Sequence, residues 1–521
     1  MKKNAFLVLA MFVIATTQAQ WVDDPMNNTL IANCSNGAAE VYTSTDPVSG
    51  DTYVQWNSSS DNGWAPTLQR LNLEGVPQWG SEGIHISGHQ FGTYSEGVAM
   101  AATTDNAVVS CFSNEGGQSI AIKINADGSF AWGEQGVALF DGQGGSRTEV
   151  LAGNDGGAWV LGTDYVHTFL CYLNADGSAN PTITISDNEK DCLYGSMTLC
   201  DDNSVFVTFE KEVWAFSLYY DKEIYVVGYS KDGTQISPET QLMTPYTIGG
   251  PYQHQVVPDG LGGGYAYIWH PAIGDSFNTY VFHYDANGNS TISNLDGVPV
   301  HVGDIDTYFY NAYGTVDPVS HDLIIAFKKT DALSETQDQL FVNRITADGQ
   351  TLWGDGIMIA DYEGVPYNDI RVDAYEDGTG FAVVYAKGID AGGYATTVES
   401  VGFDMNGNRI WSKQLSSNAY GRSFSYNSSG FLRGQNIITW VNSDNGGLYG
   451  QNICPDGTIG PVPSTSIDEN TDEEITTLLR IYTINGQLLQ KTDLEGVSQG
   501  IYILQGLTSE GRTVSRKVVL P

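Results

Sequence analysis

The sequence predicts an all-β protein: a β-propeller of eight four-stranded blades, followed by a small C-terminal β domain. Three observations predict it. An Asp-Gly or Asn-Gly turn, Glu74-Gly75 in its first copy, recurs along the chain and aligns on Gly75, Gly128, Gly177, Gly233, Gly288, Gly349, Gly407 and Gly457, at spacings of 49 to 61 residues. A loop rich in Asp, Gly and Ser, followed by a β-rich apolar run, precedes each turn, as in Asp155-Gly156-Gly157-Ala158-Trp159-Val160-Leu161. Sixty glycines accompany 29 Tyr, 19 Phe and 11 Trp, with no helical periodicity, which suits tight turns between strands.

In chain order, residues 1–19 read as a signal peptide. Lys2 and Lys3 precede an apolar run from Ala5 to Ala15, and cleavage is expected between Ala19 and Gln20. No cysteine follows that site directly, which speaks against a lipoprotein anchor, and no later run reaches the ~18 apolar residues of a membrane-spanning helix.

Residues 20–460 carry the blades. Asn28-Thr29-Leu30-Ile31-Ala32 is an orphan strand ahead of the first complete blade. In the second period, strands are expected at Val98–Thr103, Ala107–Phe112, Ser119–Asn125 and Phe130–Phe140; in the sixth, at Tyr308–Thr315, Leu323–Phe327, Gln339–Thr346 and Thr351–Ala360. The eighth offers Ser423–Asn427, Asn436–Val441 and Leu448–Cys454, then meets Pro461 and Pro463, which remove ladder donors. The orphan strand therefore supplies the missing fourth strand and closes the ring. The fourth period is the weakest, because Glu210–Lys222 inserts Val213-Trp214-Ala215-Phe216 and Tyr219-Tyr220; packing against a neighbouring blade is expected there, with a binding protrusion as the alternative. Seven blades is the alternative count, should a weak period be an embellishment.

Residues 461–477 are polar, acidic and Pro-punctuated, and read as a linker. Residues 478–521 change character: Ile481-Tyr482-Thr483-Ile484-Asn485-Gly486-Gln487-Leu488-Leu489 is an Asn-Gly hairpin, Gly500-Ile501-Tyr502-Ile503 begins a second, and Lys517-Val518-Val519 ends the tail. On Tyr482, Asn485, Gly486, Gly500, Tyr502 and Lys517, this segment resembles the C-terminal sorting domain of proteins exported by the type IX (Por) secretion system. The blades are similar to the repeat cassettes of secreted propellers with such tails. The resemblance implies the type IX machinery as a partner, passage across the outer membrane, and then attachment to the cell surface or release.

The net charge of −38, from 61 acidic and 23 basic side chains, repels phosphate backbones and anionic lipid, so nucleic-acid and membrane-surface binding are excluded. An acidic surface serves solubility. Six cysteines, without CxxC or zinc spacing, read as small buried strand residues.

No catalytic, cofactor-binding or metal-binding residue is assigned. Gly274-Asp275-Ser276 lies in a blade loop rather than the strand-to-helix turn a nucleophile elbow needs. Asp285-Ala286-Asn287-Gly288-Asn289 and Asp404-Met405-Asn406-Gly407-Asn408 lack the closing Glu of a Ca²⁺ loop; they read as hairpin turns, with structural Ca²⁺ as the lesser alternative. The Gly-His…Trp-Asp pattern of WD repeats is absent. The functional expectation is a secreted or surface-attached propeller that binds a glycan or an extracellular protein. Alternatives are a carbohydrate-active hydrolase or lyase using carboxylates at the channel mouth, and a structural surface-layer component.

Overall fold

The computed structural model describes residues 21–34, 37–60, 63–86, 98–113, 118–140, 147–249, 252–271, 277–301, 307–331, 338–361, 367–389, 395–417, 430–442, 446–461, 477–483, 488–489, 500–507 and 513–520. The chain divides into two units, Met1–Val462 and Pro463–Pro521. No α-helix occurs among the described residues, and none is long and apolar enough to cross a membrane.

The first unit is a propeller of eight blades. Blade 1 shows the plan: Ala38–Thr45, Thr52–Ser60, Gly63–Leu71 and Ile84–His85 pair antiparallel in chain order. Blades 2 to 7 repeat it, and blades 5 and 6 are joined into one sheet by a parallel bridge between Phe277 and Tyr308. The middle strands are buried on both faces because alternate residues serve different neighbours. In Gly380–Ile389 of blade 7, Phe381, Val383 and Tyr385 pack toward blade 6, while Ala382, Val384 and Ala386 pack toward blade 8. Such strands read as continuous apolar runs instead of alternating ones. One apolar core fills each interface around the ring, from blades 1–2 through blades 8–1.

Closure is as the orphan strand predicts. Thr29–Asn33 pairs antiparallel with Gly447–Ile453 of blade 8. Trp21, which lies ahead of that strand, is 1% exposed and sits on the turn of blade 1. Its Nε1 donates to the Leu73 carbonyl at 3.1 Å, and its ring covers Gly75, where a Cβ would come within 2.5 Å of the indole. Gly75 also has φ +82°, so the turn and the close approach both require glycine. The first strand expected at Ser423–Asn427 lies outside the described residues.

Two expectations need correction. In blades 2 and 6 the fourth strands are far shorter than the apolar pattern implies, Val137–Ala138 and Ile357–Ala360. The preceding residues leave the sheet so that Trp132 and Trp353 can reach the next blade's turn. Blade 4, the weakest period in sequence, has the longest hairpin, Val205–Phe216 with Tyr219–Tyr229. Its inserted apolar residues are not packed on a neighbour; Val213, Trp214, Phe216, Leu218 and Tyr219 are exposed, Trp214 to 63%.

In the second unit, Thr477–Thr483, Leu488–Leu489, Gly500–Leu507 and Thr513–Leu520 form one antiparallel sheet in the order second, first, third, fourth. Ile481, Tyr502 and Leu504 are buried. Tyr482 and Lys517 both face Ile503 in register, and Gly500 opens the third strand. Asn485, Gly486, Ala19, Gln20 and residues 462–476 of the linker lie outside the described residues.

If Trp21 holds the ring shut, Trp21→Ala should cost about 3–5 kcal/mol, the usual loss for truncating a buried large aromatic. Thermal unfolding reads this directly, and an unchanged Tm would exclude the role.

Candidate functional site

The first strand of each blade lines the central channel, so residues that differ there distinguish one blade from another. In blades 1, 4, 6 and 7 that strand carries a β-bulge at the same place: between Ala39 and Tyr42, Leu193 and Ser196, Tyr310 and Tyr313, and Asn368 and Arg371. Bulges re-aim side chains and gather beside functional sites. Glu40 and Tyr194 occupy two of these bulges with φ of 54° and 56°, a region non-glycine residues rarely adopt.

The residues following the bulges in blades 6 and 7 wall a cavity of about 690 Å³. Its lining comes from Gln255–Pro258 of blade 5, Tyr313–Val316 of blade 6 and Arg371–Asp373 of blade 7, with Asp259 and His321 contributed by the turns into the second strands. This volume falls in the range of small-ligand sites.

The polar groups of the wall are fixed by the fold. Arg371 is 5% exposed, and its guanidinium carbon lies 4.0 Å from the centre of the Tyr313 ring. Its Nη1 donates to the Ile370 carbonyl at 2.8 Å. Tyr267 donates its hydroxyl proton to Gln255 Oε1 at 3.0 Å and accepts the Gly314 amide at 3.0 Å; burial pushes its phenol up from the ordinary value, so it stays protonated. Asp373 accepts from Asn436 Nδ2 at 2.7 Å. Asp259 accepts the amides of Leu261 and Gly263 and faces His283 Nε2 at 3.2 Å. Burial alone would raise Asp259, but His283 and the two amides more than offset it and hold the carboxyl below its usual value. His321 Nδ1 lies 2.9 Å from the Asp259 carbonyl. A carbonyl only accepts, so Nδ1 carries the proton, and in the neutral ring Nε2 is the basic nitrogen.

A second assembly anchors the blade 4 hairpin. Glu210, Lys222 and His254 are each 0% exposed. Lys222 Nζ donates to Glu210 Oε2 at 2.8 Å and to the Tyr252 carbonyl at 2.9 Å, lies 3.4 Å from Glu212 Oε2, and sits over the Tyr194 ring at 4.8 Å. Glu210 Oε1 accepts the His254 amide at 2.8 Å and faces His254 Nδ1 at 3.0 Å. Thr208 and His254 Nε2 are 2.9 Å apart. Burial would raise Glu210, but Lys222 and His254 outweigh it and hold the carboxyl at about 2. Glu212 goes the other way, raised by burial and by the charge of Glu210 despite Lys222. Beyond this base the hairpin projects its apolar tip, where Phe216 and Tyr219 stack at 5.1 Å. Val213, Trp214, Phe216, Leu218 and Tyr219 leave this tip a contiguous exposed apolar surface.

Sequence reasoning missed Arg371, Tyr313, His321, Asp259 and Asp373, because they come from three blades and share no motif. The one available signal was the equivalent place of Tyr313 and Arg371 in aligned first strands. The acids of the repeated turns are accounted for locally: Asp285 and Asp404 each accept the amides two and four residues ahead, at 2.8–2.9 Å. Among the described residues, no three His, Cys, Asp or Glu cluster in a way that would hold a metal ion. Cys34, Cys111, Cys171, Cys192 and Cys454 are buried free thiols, and Cys200 is half-buried.

Glu210→Gln should cost about 3–5 kcal/mol by leaving Lys222 buried with a weakened partner, whereas Glu212→Gln should stay within about 1 kcal/mol of wild type at pH 7. The Glu210 contribution is complete above the unfolded carboxylate value of about 4.3 and fades as pH falls toward 2, since its folded pKa is depressed. Urea unfolding at pH 7 and pH 3 measures both; equal losses from the two variants would contradict the assignment.

Neither a protein-family model nor a curated protein matches the chain. Solved structures similar to it include the polysaccharide lyase Uly1, at 12% identity and TM-score 0.44, covering 74% of this chain and 93% of that one. A PL25 ulvan lyase bound to a glucuronate–rhamnose-3-sulfate saccharide aligns at 10% identity and TM-score 0.42, over 82% and 96%. A puromycin hydrolase aligns at 14% identity and TM-score 0.42 over 81% of this chain, which spans only 61% of that one. With TM-scores below 0.5, none of these likenesses carries an argument about this chain.

Proposed function

We propose that this protein is an exported β-propeller that binds a glycan in its channel cavity, and that the C-terminal sheet is the sorting domain which takes it through type IX secretion. The cavity carries the first part. It combines aromatic faces, which suit the C–H faces of sugar rings, with Gln255, Thr315, His321, Arg371 and Asp373, which suit hydroxyl groups. A concave site walled by three rigid strands fits a saccharide better than the broad, flat surface of a protein partner.

Thr315 lines the cavity, so Thr315→Trp should fill it and weaken binding of any glycan retained by the wild type by about tenfold or more. A broad polysaccharide and oligosaccharide panel with no binder would refute the glycan reading. Deleting residues 478–521 should leave the propeller folded and block its export; unchanged delivery to the medium or cell surface would refute the sorting role.

A second reading, a carbohydrate-active hydrolase or lyase, is favoured by one observation: two carboxylates, an arginine, a histidine and tyrosines meet in the same cavity. It predicts new reducing ends, or an unsaturated product, when a retained polysaccharide is incubated with the protein. An unaltered polymer leaves the binding module as the reading that stands.

A further inference from the structure

We propose that the channel cavity selects an uncharged sugar over its uronate or sulfate-ester counterpart, and that Gln255 and His321 are the residues that recognise its hydroxyl groups. The inference rests on the glycan reading above and names the ligand's class.

The hydrogen-bonding sense of each lining group follows from what it already bonds. Tyr267 accepts the Gly314 amide proton at 3.0 Å and donates its own to Gln255 Oε1 at 3.0 Å. The oxygen of Gln255 is thereby turned to Tyr267, and its NH2 group, with two donors, is left for a ligand. His321 has the opposite sense. Its Nδ1 donates to the Asp259 carbonyl at 2.9 Å, so the neutral ring offers a lone pair at Nε2. The ring is carried on a fixed backbone: the His321 amide donates to the Asp317 carbonyl at 2.9 Å, and the His321 carbonyl accepts the Tyr265 hydroxyl at 2.9 Å. Among the described residues, neither Gln255 Nε2 nor His321 Nε2 has a protein partner. Thr315 adds a hydroxyl to the same wall. Sugar hydroxyls both donate and accept, so they answer a donor and an acceptor alike. A carboxylate or a sulfate ester only accepts, and against His321 Nε2 it sets lone pair to lone pair.

The charges of the wall point the same way. Arg371 is stacked on Tyr313 at 4.0 Å, donates to the Ile370 carbonyl and is engaged further. It is the one cation of the lining, against the two carboxylates Asp259 and Asp373. Both carboxylates are held by donors of their own: Asn436 for Asp373, and the amides of Leu261 and Gly263 with His283 for Asp259. They stay ionised behind the wall, in a chain whose net charge is −38. An anionic sugar entering here gives up hydration and meets an excess of negative charge, whereas a neutral sugar meets only hydrogen-bonding groups and aromatic faces.

The test uses the full chain and calorimetric titration with two matched pairs of probes: a neutral galactan oligosaccharide with its sulfated form, and a fully methyl-esterified oligogalacturonate with its free acid. The wild type should bind at least one neutral probe about tenfold or more tightly than its charged counterpart at about 50 mM salt. That gap should narrow at about 500 mM salt, where charge repulsion is screened, while neutral binding stays within about twofold. His321→Asn tests the acceptor. Asn tolerates the φ of 64° at this position and keeps an N–H for the Asp259 carbonyl, but it lacks Nε2. It should weaken the neutral probe about tenfold with little change in thermal unfolding. Gln255→Glu keeps an acceptor for Tyr267 and removes the two donors, and it should weaken the neutral probe by a similar factor. The matched pairs need only the wild type, so they decide the matter even if a variant fails to fold. A charged probe bound as tightly as its neutral counterpart, or undiminished neutral binding in a folded His321→Asn protein, would overturn the inference and spare the glycan reading. Binding of none of the four probes overturns it as well, and the glycan reading falls only if the broad panel is also silent.

Discussion

One contact recurs around the ring and fixes the placement of each blade on the next. In every Asp-Gly or Asn-Gly turn, the carbonyl two residues before the glycine points out of its sheet, and in seven of the eight turns a donor from the preceding blade reaches it. The donor is an indole in four cases: Trp21 to Leu73, Trp79 to Ala126, Trp132 to Ala175 and Trp411 to Pro455, at 2.8–3.1 Å. Asn180 serves Lys231, Arg344 serves Met405 and Thr291 serves Ala347. Where the donor is Trp, the ring also lies on the glycine itself. A Cβ at Gly177 or Gly457 would come within 2.8 Å of Trp132 or Trp411. A directed hydrogen bond and a flat apolar contact thus set rotation and distance together, which interblade apolar packing alone leaves loosely specified.

That constraint goes with the short fourth strands of blades 2 and 6, whereas blades 4 and 7 keep fourth strands of 10 and 8 residues, Thr240–Gly249 and Arg409–Ser416. Trp411 reaches the next blade's turn from within its own fourth strand, where it lies opposite Gly402. In blades 2 and 6 the residues after the turn leave the ladder, deliver the side chain to the next blade, and rejoin for two to four residues, at Val137–Ala138 and Ile357–Ala360. The constraint explains the N-terminus. Thr29–Asn33 restores a strand to blade 8, and Trp21 restores the missing indole, so closure reproduces both halves of the interblade contact.

Once the middle strands and turns are committed to the ring, variation is left to the first strands and to the loops. The buried cations show how it is used. In a strongly acidic protein, Lys222 is enclosed by Glu210, Glu212 and a carbonyl, and it stiffens the base of the exposed hairpin. Arg371 is placed instead against an aromatic ring in the channel wall. The first arrangement is a closed ion-pair network, whose disruption leaves an uncompensated buried charge. The second stacks a planar cation on an aromatic ring in a cavity wall.

The sequence by itself determined the repeat, the eight blades, the middle strands and the orphan strand. These follow from local chemistry: positive φ at the turn glycines, and apolar runs that satisfy two neighbours at once. It also marked Trp132 and Trp353 as part of the cassette, without showing that they belong to the next blade's turn. Only the tertiary structure decided that Gly75, Gly177 and Gly457 are required twice, once for the backbone angle and once for the indole above. Only the tertiary structure turned the Val213–Tyr219 insertion outward, because Glu210 and Lys222 pair beneath it across the hairpin. Above all it decided the cavity. Gln255, Tyr313 and Arg371 are separated by 58 residues at each step, and no local pattern links them. They meet because the ring brings the first strands of successive blades to one axis, a non-local consequence of closure that local propensity does not encode.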